Sequence, residues 1–201
     1  MSRQRRWSSL AAGLGLLVFA TGALAQWELD NANSSINFIS IKNAKVAESH
    51  RFDRLFGFIG NDGAVQLGVD LDSVDTSIEI RDERMRQMLF ETGDFPSANV
   101  TGSVDPAILK TLQPGAVVTT DLEVTLSLHG KEASISVPVV VISESTEGLR
   151  VISSRPVLLN TADFDLLRGV AALQEVAGLD SIASVVPVTF HLLFKHAPPI
   201  S

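Results

Sequence analysis

The side chains in this chain that could do chemistry are four histidines, a cluster of aspartates and a run of arginines. His191 and His196 are five apart in an alternating segment, which puts them on opposite faces of a strand and away from a shared metal. His129 falls in a turn, and there is no cysteine and no H-x-x-x-H pair. Ser34-Ser35 with His50 offers a nucleophile and a base, but the chain has no G-x-S-x-G elbow, and serines are common on wet strand faces. Asp70, Asp72 and Asp75 follow a strand, where carboxylates make turns and caps. No catalytic residue, metal site or cofactor is therefore expected. The run Arg81-Asp82-Glu83-Arg84-x-Arg86 has two readings. One is a solvated helix face laced by i,i+3 and i,i+4 pairs. The other sets Arg81 or Arg84 against a polar or anionic group of a ligand, with Lys42 and His50 as companions.

These groups have to be positioned by strands, because the dominant pattern is alternation with period two. Val65, Leu67, Val69 and Leu71 share a face, as do Ala98, Val100 and Val104. Leu122, Val124, Leu126 and Leu128 share another, and Val186, Val188, Phe190, Leu192 and Phe194 close the series. Each segment has one apolar and one wet face. Asn61-Asp62-Gly63, His129-Gly130-Lys131 and Ser145-Thr146-Glu147-Gly148 are turn sequences between them. Pro138 and Pro187 lie inside strand-like runs and cannot donate to a ladder, so a bulge or a local edge is expected at each. Two segments break the alternation. The spacing predicts one short helix over Arg81–Phe90 and a second over 165–177, capped by Asp163 or Asp165 and ended by Gly178. Many antiparallel strands with one apolar face require a sandwich or a closed barrel, and hairpin-sized connections favour an up-and-down meander.

The first 25 residues read as a secretion signal: Arg3, Arg5 and Arg6, an apolar run from Leu10 to Ala20, and Ala23-Leu24-Ala25 before the cut. The expected domain is then residues 26–201, exported to a Gram-negative periplasm, with the Ala-Pro-Pro-Ile-Ser tail loose. Losing three arginines takes the net charge from −7 to −10, which argues against nucleic acid and anionic lipid as partners. The apolar run is short for a membrane span, so stable membrane insertion is not expected. The aromatic supply is almost wholly Phe, which suits an apolar interior rather than sugar stacking.

Ordered motifs along the chain resemble those of the YceI-like family. Asp30-x-Ala-x-Ser34-Ser35-x-x-Phe38 is similar to its opening D-x-A-x-S-S-x-x-F. His50-Arg51-Phe52 to Gly60 resembles its second strand, and Asp75-Thr76 with Arg81-Asp82-Glu83 its I-D-T…R-D segment. Phe95-Pro96, Asp121-Leu122 to His129-Gly130, and Asn160 to Phe164 match later motifs in order. Two departures stand near the first strands. Asn33 replaces a frequent His, and Ser40-Ile-Lys42-Asn43-Ala-Lys45 replaces V-K-H-x-G, with His50 where Gly is common.

The resemblance implies a mainly all-β, lipocalin-like eight-stranded antiparallel barrel with two short helices. It implies a non-enzymatic binder or carrier of an isoprenoid or other long-chain amphiphile in an apolar tunnel. A quinone falls in the same ligand class, and a homodimer is compatible with it. Phe38, Phe52, Phe58, Phe90, Phe95, Phe164 and Phe190 are the tunnel candidates. Lys42, His50, Arg81 and Arg84 are the candidates for the head group. The competing reading is a barrel filled by its own side chains that binds a partner on its outer surface, in a stress-related or electron-transfer role. An eight-stranded barrel can be either solid or hollow.

Overall fold

The computed structural model describes residues 25–197. The expected leader lies, but for Ala25, outside the described residues, as does the tail beyond Ala197.

The alternating segments form strands β1 (Ala25–Leu29), β2 (Ser35–Lys42), β3 (Val46–Phe52), β4 (Leu55–Gly60), β5 (Ala64–Asp70) and β6 (Val74–Asp75). They continue with β7 (Ser97–Ser103), β8 (Val117–Leu128), β9 (Lys131–Ser145), β10 (Gly148–Ser153), β11 (Val157–Asn160) and β12 (Val185–His196). All pairings among them are antiparallel. The order β1-β4-β5-β7-β8-β9-β10-β12 closes on itself through β12 and β1. That ring is the eight-stranded barrel, and closure leaves no edge to shield. The other four segments extend it at one end. β2 follows β1, β3 leads into β4, β6 follows β5 and β11 follows β10, and β2 and β11 both pair with β12.

The breaks within these long strands are fastened by residues of the opening motif. Asn31 receives the Leu55 amide at 2.7 Å and donates to the Asp53 carbonyl, locking the break in one strand to the break in its neighbour. Ser34 Oγ accepts from the Leu193 amide at 2.9 Å and donates to the Asp30 carbonyl. Asp30 pairs with Lys195 at 2.5 Å, which holds its carboxyl below the usual range. Asn33 donates to the same Asp30 carboxylate at 2.9 Å, so Asp30, Asn33 and Ser34 all serve to fasten this break.

Turn chemistry matches the sequence. His129 and Gly130 both take positive φ and close β8 on β9 with a two-residue turn. β10 stops pairing with β9 at Ser153 opposite Val139, beside Pro138, which makes the local edge expected there. Pro187 sits where β12 gives up β2, whose pairing begins at Val188.

The first helix, α1 (Glu79–Arg84), begins two residues earlier than expected and passes into a π-helical turn over Met85–Phe90. A second, α2 (Pro106–Thr111), was not expected. Pro106 opens it and the Asp105 side chain caps it at the Ala107 amide. The third, α3 (Leu167–Val176), lacks the expected cap. Its N-cap is Leu166, with no side-chain bond, because Asp165 adopts φ 58° to close the preceding Thr161–Phe164 turn. Gly178 ends the helix at positive φ as expected. α3 crosses the π turn closely. A Cβ on Gly169 would stand 2.5 Å from the Met88 carbonyl and 2.8 Å from the Leu89 Cα, so only glycine fits there. α1, the π turn and α3 lie at the end where β2, β3 and β11 extend the barrel, and α2 lies in the connection at the other end.

Candidate functional site

The apolar faces of the alternating strands all turn inward, and together they enclose a cavity of about 290 Å³. Val65, Leu67, Val69 and Leu71 line it, with Leu122, Val124, Leu126 and Leu128 from β8 and five residues of β12 from Val186 to Phe194. Leu89, Phe90, Phe164 and Leu166 contribute from the helical end, and Val104 and Leu109 from the α2 end. Among the described residues, every lining residue is apolar except Asn160 and Thr161. Protein interiors tolerate few voids larger than a water molecule. A void this size offers water no partners along its apolar wall, away from Asn160 and Thr161, and fits an apolar guest.

Five of the seven phenylalanines named from the sequence line the cavity: Phe38, Phe52, Phe90, Phe164 and Phe190. Phe58 does not. In β4 the inward residues are Leu55, Gly57 and Ile59, so Phe56 and Phe58 point outward, opposite Gly68 and Gln66 on the wet face of β5. Phe95 does not either. It precedes β7 and packs against the His129 ring, centroids 4.5 Å apart, under the β8–β9 turn. Phe194 belongs to the wall and was absent from the candidates, although its two-residue steps from Phe190 carried the signal.

Polar groups gather just beyond the apolar wall, on the extension built by β2 and β3. Ile36 and Phe38 line the cavity, and the next residues on the same face of β2 are Ser40 and Lys42. On β3, Phe52 lines the cavity, followed on the same face by His50 and Glu48. The register pairs Phe38 with His50 and Ser40 with Glu48, so both strands change from apolar to polar at the same level. The Phe38 ring stands 5.3 Å from Phe52 and 5.1 Å from His50, and Phe52 stands 5.8 Å from Phe90, which forms an aromatic collar at the boundary.

Arg81 reaches this cluster from α1. It donates to Glu48 at 2.6 Å and to the Thr76 carbonyl at 2.6 Å, and Lys42 pairs with the same Glu48 oxygen at 2.6 Å. Asp82 accepts from the Thr76 amide at 2.8 Å and from its hydroxyl, clasping α1 onto β6. The Lys42 hydrogen bond, helped by Arg81, holds the Glu48 carboxyl below its ordinary value. His50 is 4% exposed, and its Nε2 lies 2.8 Å from Ser40 Oγ. Burial, with the Arg81 charge as a second cause, pushes the His50 imidazole below its ordinary value. Three of the four proposed head-group residues, Lys42, His50 and Arg81, thus meet in one place. Arg84, half-buried, has no side-chain partner among the described residues and makes no hydrogen bond or ion pair with this cluster. Glu48, which ties the cluster together, was missed from the sequence. The available signal was its place two residues before His50 on an alternating strand.

The acidic cluster does what turns require. Asp70 receives the Asp72 amide and pairs with Arg54 at 2.8 Å, while Asp75 receives the Ser77 amide and pairs with Arg51. His191 lies against Arg150, and His196 packs edge-on to Trp27, centroids 5.3 Å apart. Among the described residues no helix is long and apolar enough to cross a membrane.

The model of the YceI-like domain matches residues 27–194. Among solved structures, the chain is similar to a polyisoprenoid binding domain from Saccharophagus degradans implicated in plant cell wall breakdown. The two are 38% identical with a TM-score of 0.84, over 86% of this chain and 99% of that one. Burkholderia cenocepacia BcnA shares the fold at 17% identity and a TM-score of 0.65, over 82% of this chain and 98% of that one. The Campylobacter jejuni YCEI protein shares it at 12% identity and a TM-score of 0.54, over 79% of this chain and 88% of that one. No curated protein matches the chain.

Proposed function

The chain belongs to the YceI-like family, and from that premise we propose that it binds and carries one long-chain isoprenoid, or a similar amphiphile, in the bore of its barrel. The observation that carries this reading is the apolar cavity of about 290 Å³. Left empty, such a void forfeits packing at about 24 cal/mol per Å³, or about 7 kcal/mol in all. That is comparable with the whole stability of an ordinary domain. A guest recovers it, because each buried CH₂ contributes about 0.8 kcal/mol. The similar Saccharophagus degradans domain, described as polyisoprenoid binding, supports the ligand class.

In this role the protein makes and breaks no bond. It shields a tail from water, and Phe38, Phe52, Phe90, Phe164 and Phe190 form part of the wall that the tail touches. The basic and apolar leader supports work in the periplasm after cleavage behind Ala25. A quinone tail would fit the same bore, and a homodimer is compatible with this reading. The test is extraction of protein purified from periplasm with organic solvent, followed by mass spectrometry. One co-purified isoprenoid per chain is expected. A barrel that yields none, and takes up none after delipidation, overturns the reading in favour of a module that works by its outer surface.

A further inference from the structure

Along most of the ring the outer face of a strand is wet. Gln66 lies between Val65 and Leu67, which line the cavity, and Thr125 lies between Val124 and Leu126, which also line it. At the extended end this rule fails. Leu158 stands between the lining residues Val157 and Leu159 and is itself 66% exposed. Val185 precedes the lining residue Val186, Leu167 follows the lining residue Leu166, and both are exposed. The wall here is apolar on the bore side and on the outside as well.

Among the described residues nine large apolar side chains are exposed, and seven of them belong to this end. Beyond those three, Val46 sits at the β2–β3 tip, Ile78 and Ile80 open α1, and Val176 closes α3. The other two are Phe56, on the outer face of β4, and Val117, where β8 begins beside α2. The elements that carry the seven are tied into one surface. Asn43, at the β2–β3 tip, accepts from the Asp180 and Ser181 amides beyond α3 at 2.8 and 3.3 Å. Arg81 fastens α1 to β3 through Glu48, and Gly169 seats α3 on the π turn. α3 itself carries only two charges, Arg168 and Glu175, yet none of its residues is buried. An apolar helix left open to solvent, on a rim of exposed Ile, Leu and Val, marks a surface that meets an apolar partner.

The charges on the rim select the partner. Glu79, Glu83, Glu175 and Asp180 are exposed among these side chains, against Lys45 and Arg168. An excess of acid repels an anionic surface and suits lipid heads that carry both signs. A protein interface centres on a compact, buried anchor, whereas these side chains are spread around one end and separated by charges. That arrangement fits the head-group layer of a bilayer, where apolar side chains insert and charged ones stay in water. Resting on the reading of the bore as a lipid site, we infer that the extended end docks reversibly on a zwitterionic bilayer, with Ile78, Ile80, Leu167 and Val176 as its inserted side chains. No spanning element is needed. Leu166 then faces the bore and Leu167 the bilayer, so a tail moving between the two stays against apolar side chains.

The experiment floats delipidated mature protein with vesicles of phosphatidylcholine, and with vesicles in which phosphatidylglycerol is mixed in. The wild type should partition onto phosphatidylcholine alone, and neither added salt nor the anionic lipid should strengthen the binding. Ile80→Glu and Leu167→Glu should each lower the partition coefficient about tenfold or more, the effect of withdrawing one large apolar side chain. Val117→Glu, at an equally exposed site near α2, should leave it unchanged. Absence of wild-type binding overturns the inference, and so does binding that needs phosphatidylglycerol and is lost in salt. Those two arms stand whether or not a variant folds. An equal loss in Val117→Glu, or none in Ile80→Glu and Leu167→Glu, overturns the assignment to this end. Light scattering without vesicles reads the competing occupant: a wild-type dimer that Leu167→Glu splits would mean that a second copy covers the face, and would overturn the bilayer. Uptake of the hydrocarbon farnesene without vesicles reads the bore alone. Its failure in the wild type overturns the bore reading, whereas failure to float with uptake intact overturns the docking.

Discussion

Leu126→Asp should cripple the fold, and Thr125→Asp, one residue away, should barely touch it. Leu126 is 6% exposed, lines the cavity, and lies opposite Val100 on β7 and Ala133 on β9. Thr125 lies opposite Thr101 and Ser134, on the face that meets water. Removing the leucine costs about 2–5 kcal/mol in lost packing. The introduced carboxylate has no partner, so it must be neutral in the folded state and ionised in the unfolded one. Protonating it at pH 7 against an unfolded value near 3.9 costs about 4 kcal/mol. The sum, about 6–9 kcal/mol, rivals the stability of an ordinary domain. The sign with pH follows from the raised folded-state pKa. The added penalty is absent below the unfolded value and grows as pH rises. Between pH 7 and pH 5 the variant should therefore recover about 2.7 kcal/mol relative to the wild type. Thr125→Asp should cost about 1 kcal/mol or less and show no such recovery. Urea unfolding followed by Trp27 fluorescence, at both pH values, reads these differences. Equal losses in the two variants would refute the assignment of faces. A Leu126→Asp variant that is stable and indifferent to pH would mean that the carboxylate is solvated, and that the bore is wet rather than apolar.

Gly57→Ala should destabilise by about 1–3 kcal/mol, because its Cβ would stand 2.8 Å from the Gln66 carbonyl, which is fixed in the sheet. Gly68→Ala should cost less in the same urea melts despite a nearer contact, 2.0 Å, because its neighbour is the exposed Phe56 ring, which can swing away. The His50 imidazole is held below its ordinary value, so the unfolded chain takes up its proton first as pH falls. Stability should drop as pH falls below about 6.5, and His50→Phe should flatten that drop in denaturation measured at pH 7.5 and 5.5. Phe190→Ala should reduce the lipid retained through purification, whereas Phe58→Ala, on the outer face, should leave it unchanged by mass spectrometry.

The alternation of β5, β8 and β12 was enough to say which side chains face inward, because a strand's side-chain period is two whatever the strand pairs with. Turns at Asp62-Gly63 and His129-Gly130 were equally plain, since Gly63 and Gly130 take the positive φ that glycine accepts most readily. α1 and α3 were visible by position but not by form, and α2 was not foreseen at all. The π turn over Met85–Phe90 and the cap-free start of α3 depend on packing against each other at Gly169. Phe58 went wrong for a related reason. Phe56 and Phe58 are two residues apart and apolar, and only their register opposite Gly68 and Gln66 reveals that they share the outer face.

The sequence by itself determined a strand-rich, cysteine-free, acidic chain, the inward faces of its main strands, and the family. Those properties depend on local periodicity and composition, which survive in any register. Only the tertiary structure decided that the barrel is closed, that it is hollow, and that Lys42, His50 and Arg81 converge on Glu48. Closure depends on β1 meeting β12 across nearly the whole chain. Hollowness is a sum of volumes over eight strands, and no single segment records it. The cluster joins Glu48 to an arginine 33 residues away on a helix, a contact that exists only once α1 is clasped to β6 by Asp82 and Thr76.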